Sequence, residues 1–151
     1  MARTIIESKS KTAIIGFDEP FCVIGERINP TGRKKLASEL EAGNFTTVQS
    51  DALAQVEAGA NILDINAGVV YTSNPNPNDT EPPLMVDLIN LVQNSTDVPL
   101  CIASSVPAAL EAGLVAAEGR PLLNSVTGEE DRLEFVLPLV KKYNVPVVAI
   151  S

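Results

Sequence analysis

The chain has 151 residues, 45% of them hydrophobic, with no histidine or tryptophan, two cysteines and a net charge of −8. That apolar content excludes a disordered chain and implies one domain with an aliphatic core. No basic cluster exceeds Arg33-Lys34-Lys35 and no apolar run approaches the roughly 20 residues that span a bilayer, so neither nucleic acid nor a membrane is an expected partner. Without histidine or a Cys-x-x-Cys pair, a transition-metal site is not expected either. The N-terminus lacks the apolar core of a signal peptide, and the expected localisation is cytoplasmic.

In chain order, Thr4–Ile6 and Thr12–Gly16 read as a small antiparallel hairpin, a plug beneath a sheet. Strand-like runs follow near Cys22–Ile24, Ile62–Ile65, Leu100–Ile102, Leu122–Leu123 and Val145–Ile150, which places Cys22 and Cys101 in buried strands. Helical patterns fill Lys34–Ala42, Thr46–Ala58, Leu84–Asn94, Pro107–Glu118 and Glu129–Tyr143. This alternation is the βαβ signature of a parallel α/β sheet. Thr127-Gly-Glu-Glu130 fits a capping box, and the helix after it aligns Leu133, Val136, Leu137 and Val140 on one stripe. Ser105 is the expected cap of the helix opened by Pro107, Gly59 and Gly119 stand where helices end, and Asn74–Asp79 reads as loop. Four (βα) units and a fifth strand fit either a small doubly wound sheet or about half of an eight-unit barrel, which needs about 250 residues. The expected division is a hairpin over residues 1–20 and an incomplete barrel over 21–151.

The strand ends hold the chemistry-bearing residues. In a parallel sheet they lie on one face, where ligands collect. Asp64 and Asn66 alternate onto one side of their strand, a carboxylate beside an amide, suited to the edge of a flat heterocycle or to capping the next loop. Glu26, Arg27 and Asn29 cluster after the first strand of the series, where Glu26–Arg27 reads equally as an ion pair. Asn29-Pro30-Thr31-Gly32 is a turn. Asn124 and Ser125 follow Leu122-Leu123, and an asparagine there commonly satisfies backbone. Ser104-Ser105 has no histidine base, and the glycines never form G-x-G-x-x-G.

Gly25-Glu-Arg-Ile-Asn-Pro-Thr-Gly32, Leu63-Asp-Ile-Asn-Ala-Gly68 and Leu123-Asn-Ser-Val126, in that order, resemble the pterin-binding barrel family. That family contains dihydropteroate synthase, the folate module of cobalamin-dependent methionine synthase and the methyltetrahydrofolate:corrinoid methyltransferases. Gly119-Arg-Pro-Leu-Leu-Asn-Ser-Val-Thr-Gly-Glu-Glu-Asp-Arg-Leu133 looks most like the last branch. The resemblance implies a TIM-type (βα) barrel with the pterin in its C-terminal mouth. By position, Asn124 would hydrogen-bond the ring, with Glu26, Asn29, Asp64 and Asn66 lining floor and wall. It further implies methyltetrahydrofolate as substrate, a corrinoid carried by a partner protein, and no metal held by the barrel. Two half-barrels completing one another would make a homodimer.

Two departures qualify the resemblance. The family's third-strand Asp, which binds the amino-pyrimidine edge, is Ala103 here, a loss of about 2–4 kcal/mol of ligand binding. The later strands, with the expected catalytic asparagine, lie beyond residue 151. An impaired methyltransferase is therefore expected. The alternatives are a dihydropteroate synthase-like enzyme and a non-catalytic pterin-binding or assembly module.

Overall fold

The computed structural model describes all of residues 1–151. It holds β1 (Thr4–Glu7), β2 (Thr12–Ile15), β3 (Ile24–Ile28), α1 (Lys34–Glu41), α2 (Thr46–Glu57), β4 (Ile62–Asn66) and α3 (Pro77–Ser95). It continues with β5 (Leu100–Ala103), α4 (Pro107–Ala116), β6 (Leu122–Thr127), α5 (Glu130–Tyr143) and β7 (Val147–Ile150). Strands β3 to β7 form one parallel sheet in sequence order, and β1–β2 is an antiparallel pair. Sequential parallel order is what successive right-handed βαβ units build. No helix is long and apolar enough to cross a membrane.

The sheet has two distinct faces because side chains alternate along each strand. Leu63, Ile65, Leu100, Ile102 and Leu123 point into the large core shared with the helices, among them Leu88, Ile89 and Leu110. Ile62, Cys101 and Leu122 point the other way and form a small cluster with Ile6 and Ala13 of the hairpin. These three begin their strands or lie one residue in, so the hairpin sits under the N-terminal end of the inner face. Arg120 fastens it there. Its backbone exchanges two 2.8 Å bonds with Glu7, and its guanidinium donates to the carbonyls of Ile5 and Asn144.

The structure moves several boundaries. Cys22 precedes its strand and is half-buried; β3 runs instead through Gly25-Glu-Arg-Ile28. Helix α3 starts at Pro77, inside the expected loop, because the Asn76 side chain accepts the Asn78 N–H and caps it. It then runs through Pro82 and Pro83 ahead of the expected start at Leu84.

The capping box does not form. Thr127 is the last residue of β6, paired with Ile150, and its hydroxyl turns to Glu129 at 3.4 Å. Helix α4 starts after Val106, whose N–H is taken by Ser104 and not Ser105. On α5 the buried residues are Val136 and Leu139, whereas Leu137 is exposed, because the helix covers the sheet on a face rotated from the expected stripe.

Candidate functional site

Two strands of the sheet carry an extra residue near the end that faces the site. Between Gly25 and Ile28, β3 spends three steps against two on β4. Between Asn124 and Val126, β6 spends two against one on β7. A bulge leaves backbone groups outside the ladder and re-aims side chains. In both strands the following segment collects those groups. Gln55 of α2 accepts the Arg27 N–H at 2.9 Å, and Arg33 donates to the Arg27 carbonyl while pairing with Asp51 at 2.7 Å. Gly25 is required here, since a Cβ on it would stand 2.5 Å from the Gln55 amide oxygen. At the second bulge, where the Asn124–Ser125 peptide is cis, Arg132 of α5 takes the Ser125 carbonyl.

The second bulge also resolves which way β6 side chains face. Leu123 and Val126 both enter the helix-side core, so Asn124 between them is an inner-face residue. In register with it are Ala103 on β5 and Asn66 on β4, and one layer deeper lie Cys101 and Asp64. Asn124 Nδ2 donates to Asp64 Oδ1 at 3.2 Å, reaching across the intervening strand β5. The pair leaves the purely local roles of these two residues unfilled. Asp64 caps no loop, Asn124 satisfies no backbone group, and it is Asn66 Oδ1 that accepts the Gly68 N–H at 2.8 Å.

Asp64 is 7% exposed and pairs with no cation. Burial pushes its carboxyl above the usual range; the Cys101 thiol and the Asn124 amide oppose this, while the Glu26 charge adds to it. Cys101 beside it in register is raised well above its usual range, by burial and then by the Asp64 charge. The arrangement is a carboxylate–amide edge set in an aliphatic wall. Asp64 offers acceptors, Asn124 retains a carbonyl oxygen and an N–H, and Asn66 keeps its amide nitrogen, a set that matches the alternating donors and acceptors of a fused pyrimidinone ring.

Asn66, Ala103, Ser104, Asn124, Glu129 and Arg132 are among the residues around the open cavity above this wall. Glu26 is exposed and close enough for its charge to act on Asp64, but it makes no ion pair with Arg27, which approaches Asp51 at 3.7 Å. Of the four residues expected to line the cavity only Asn66 does: Glu26 and Asp64 are not around it, Asp64 lying one layer deeper, and the Asn29 side-chain oxygen accepts the Thr31 N–H at 2.9 Å within its own turn. Ala103 presents only a methyl group, and the one carboxylate around the cavity is that of Glu129, in the β6–α5 turn and not on a strand. The buried Glu81 of α3 (4% exposed) lies on the helix side, where Ser104 Oγ donates to it and burial raises its pKa.

Sequence reasoning missed Arg132, Gln55 and Glu41. Arg132 is visible in sequence only as one more surface charge of a helix. Glu41 accepts both the backbone N–H and the hydroxyl of Thr72 at 2.6 Å, tying the β4–α3 loop to α1.

The methylcorrinoid:tetrahydrofolate methyltransferase of Eubacterium limosum is 32% identical over 78% of this chain and 40% of its own length. Among solved structures, a Xanthomonas albilineans dihydropteroate synthase in complex with indole-2-carboxylic acid and 6-chloroguanine superposes with a TM-score of 0.63 at 21% identity. That match covers 97% of this chain and 49% of the synthase. The same enzyme in complex with 7,8-dihydropteroate gives 0.58 at 23% identity, over 95% and 49%. The chain thus spans less than half the length of these proteins, and its five parallel strands have the fold of about half of a TIM-type barrel. A pterin binding enzyme model matches residues 25–151, and the chain belongs to the pterin-binding enzyme family.

Proposed function

We propose that this chain supplies the pterin-holding wall of a methyltransferase that moves a methyl group between methyltetrahydrofolate and a corrinoid carried by a partner protein. The observation that carries the reading is the Asn124–Asp64 pair, a hydrogen-bonding edge placed across β5 at the sheet's ligand-binding end. The pyrimidinone edge of the folate lies against Asp64 and Asn124, with the Asn66 amide nitrogen as a further donor. Ala103 leaves the top of the wall without a carboxylate, so Asp64 is the only acid on these strands' inner face available to the ring. The corrinoid supplies the methyl-carrying metal when its protein docks, and this chain's residues bind and orient the folate. Residues 1–20 act as a plug under the incomplete barrel formed by residues 21–151. The E. limosum relative supports the methyltransferase branch by its name and identity.

A dihydropteroate synthase-like activity is the second reading, favoured by the fold likeness to the Xanthomonas enzyme, and a non-catalytic pterin-binding module is the third, favoured by Ala103. Calorimetric titration with methyltetrahydrofolate, beside a turnover assay with a pterin diphosphate, separates the first reading from the second, and methyl transfer from methyltetrahydrofolate to a reduced corrinoid separates it from the third. Binding of methyltetrahydrofolate that weakens about tenfold or more in Asn124→Ala agrees with the first reading. Turnover of the diphosphate, or no folate binding, overturns it.

A further inference from the structure

The β6 bulge at Ser125 leaves a backbone carbonyl off the ladder at the strand end that carries Asn124. Immediately beyond β5, the Ser104 and Ser105 carbonyls stand at the start of the β5–α4 turn. One side chain reaches all three. Arg132 donates from Nε to Ser125 O at 3.1 Å, from Nη1 to Ser105 O at 3.1 Å and from Nη2 to Ser104 O at 2.6 Å. The guanidinium is half-buried and makes no ion pair, so its charge is directed wholly at main-chain oxygens. Three donors in one rigid plane fix the relative position of two turns as separate single hydrogen bonds do not, and an ammonium offers no such fork.

We propose that Arg132 is a positioning residue: its guanidinium clamps the β5–α4 turn to the bulged end of β6 and so sets how the Asn124 side chain stands beside Ala103 on the wall against which a planar ligand lies. The two turns flank the in-register pair Ala103–Asn124, and the cavity above that pair is lined by Arg132 itself. Ser104 is held from the far side as well, since its hydroxyl donates to Glu81 and accepts the Val106 N–H at 2.9 Å. The turn is therefore fixed to α3 independently, and Arg132 references β6 to it beside one long backbone bond, Ser104 N–H to the Asn124 carbonyl at 3.4 Å. The clamp rests on geometry alone; what the wall holds rests on the pterin reading.

The test compares Arg132→Lys and Arg132→Ala with the unsubstituted chain by amide hydrogen exchange without ligand and by titration with methyltetrahydrofolate. Both variants are expected to exchange about tenfold faster or more at 103–106 and at 124–127 together, with β4 unchanged, and to lose about tenfold or more in affinity, the worth of one charge-assisted hydrogen bond. Millimolar methylguanidinium is expected to restore slow exchange and affinity in Arg132→Ala, a rescue that general loss of stability does not show. Faster exchange at only one turn, uniform loosening of the chain, or loosened turns with unchanged affinity overturns the proposal. If the unsubstituted chain binds no methyltetrahydrofolate, the pterin reading falls, and the exchange pattern and its rescue still decide the clamp.

Discussion

Asp64→Asn should raise stability while it removes function, and the two effects come from the same carboxylate. Asp64 is almost fully buried, has one amide and one thiol as partners, and feels Glu26 as a second negative charge. Desolvation outweighs the hydrogen bonds, so its pKa in the folded protein lies above that of the unfolded chain. A group shifted upward binds its proton more tightly when folded. Stability therefore declines as pH rises from the unfolded pKa near 3.9 through the raised folded value, and above that the loss is complete. Each unit of displacement corresponds to about 1.4 kcal/mol.

An amide of the same shape has no charge to desolvate and keeps an oxygen for Asn124 Nδ2. The variant is expected to be more stable than the parent by on the order of 1 kcal/mol at pH 7, with the difference vanishing below the unfolded pKa. Urea unfolding followed by circular dichroism, from about pH 3 to about pH 8, measures this directly. A variant less stable than the parent at neutral pH, or a difference that does not change with pH, refutes the reasoning. Binding of methyltetrahydrofolate should fall at the same time, because the new amide presents N–H groups where the ring edge needs acceptors.

Two further outcomes concern the frame around the site. Gly119 has φ +83°, and a Cβ there would lie 2.4 Å from the Glu7 carbonyl oxygen, so Gly119→Ala should cost about 2 kcal/mol or more and loosen the hairpin, read as a lower urea midpoint with faster exchange at Glu7. Gly113 lets α4 lie against β5 and α3, with Ile102 Cγ2 at 2.7 Å and Ile89 Cδ1 at 3.1 Å from a built Cβ. Gly113→Val should destabilise by about 2–3 kcal/mol through overpacking, measured by the same unfolding curve.

Much of this protein is legible one residue at a time. The apolar runs of β4, β5 and β7 and the helical patterns of α1, α2, α4 and α5 are set by local periodicity, which is why their expected and observed bounds differ by only a few residues. The paired placement of Asp64 and Asn66 follows from strand alternation alone. The failures share a cause. Thr127 has the local pattern of a cap, but ladder pairing with β7 draws it into the strand, and Asn74–Asp79 has the local pattern of a loop, but Asn76 caps a helix that starts inside it.

The amino-acid sequence by itself determined the order of (βα) units, the inner-face residues of β4 and β5, and the motifs that resemble a pterin-binding barrel, because these depend on spacing along one chain. Only the tertiary structure decided that Asn124 meets Asp64 across β5, that Glu26 is felt there while Asn29 turns back on itself, and that Arg132 and Gln55 gather the backbone groups released by two bulges. A bulge is a mismatch between two strands, and a clamp joins segments far apart in sequence. Neither exists until the strands pair.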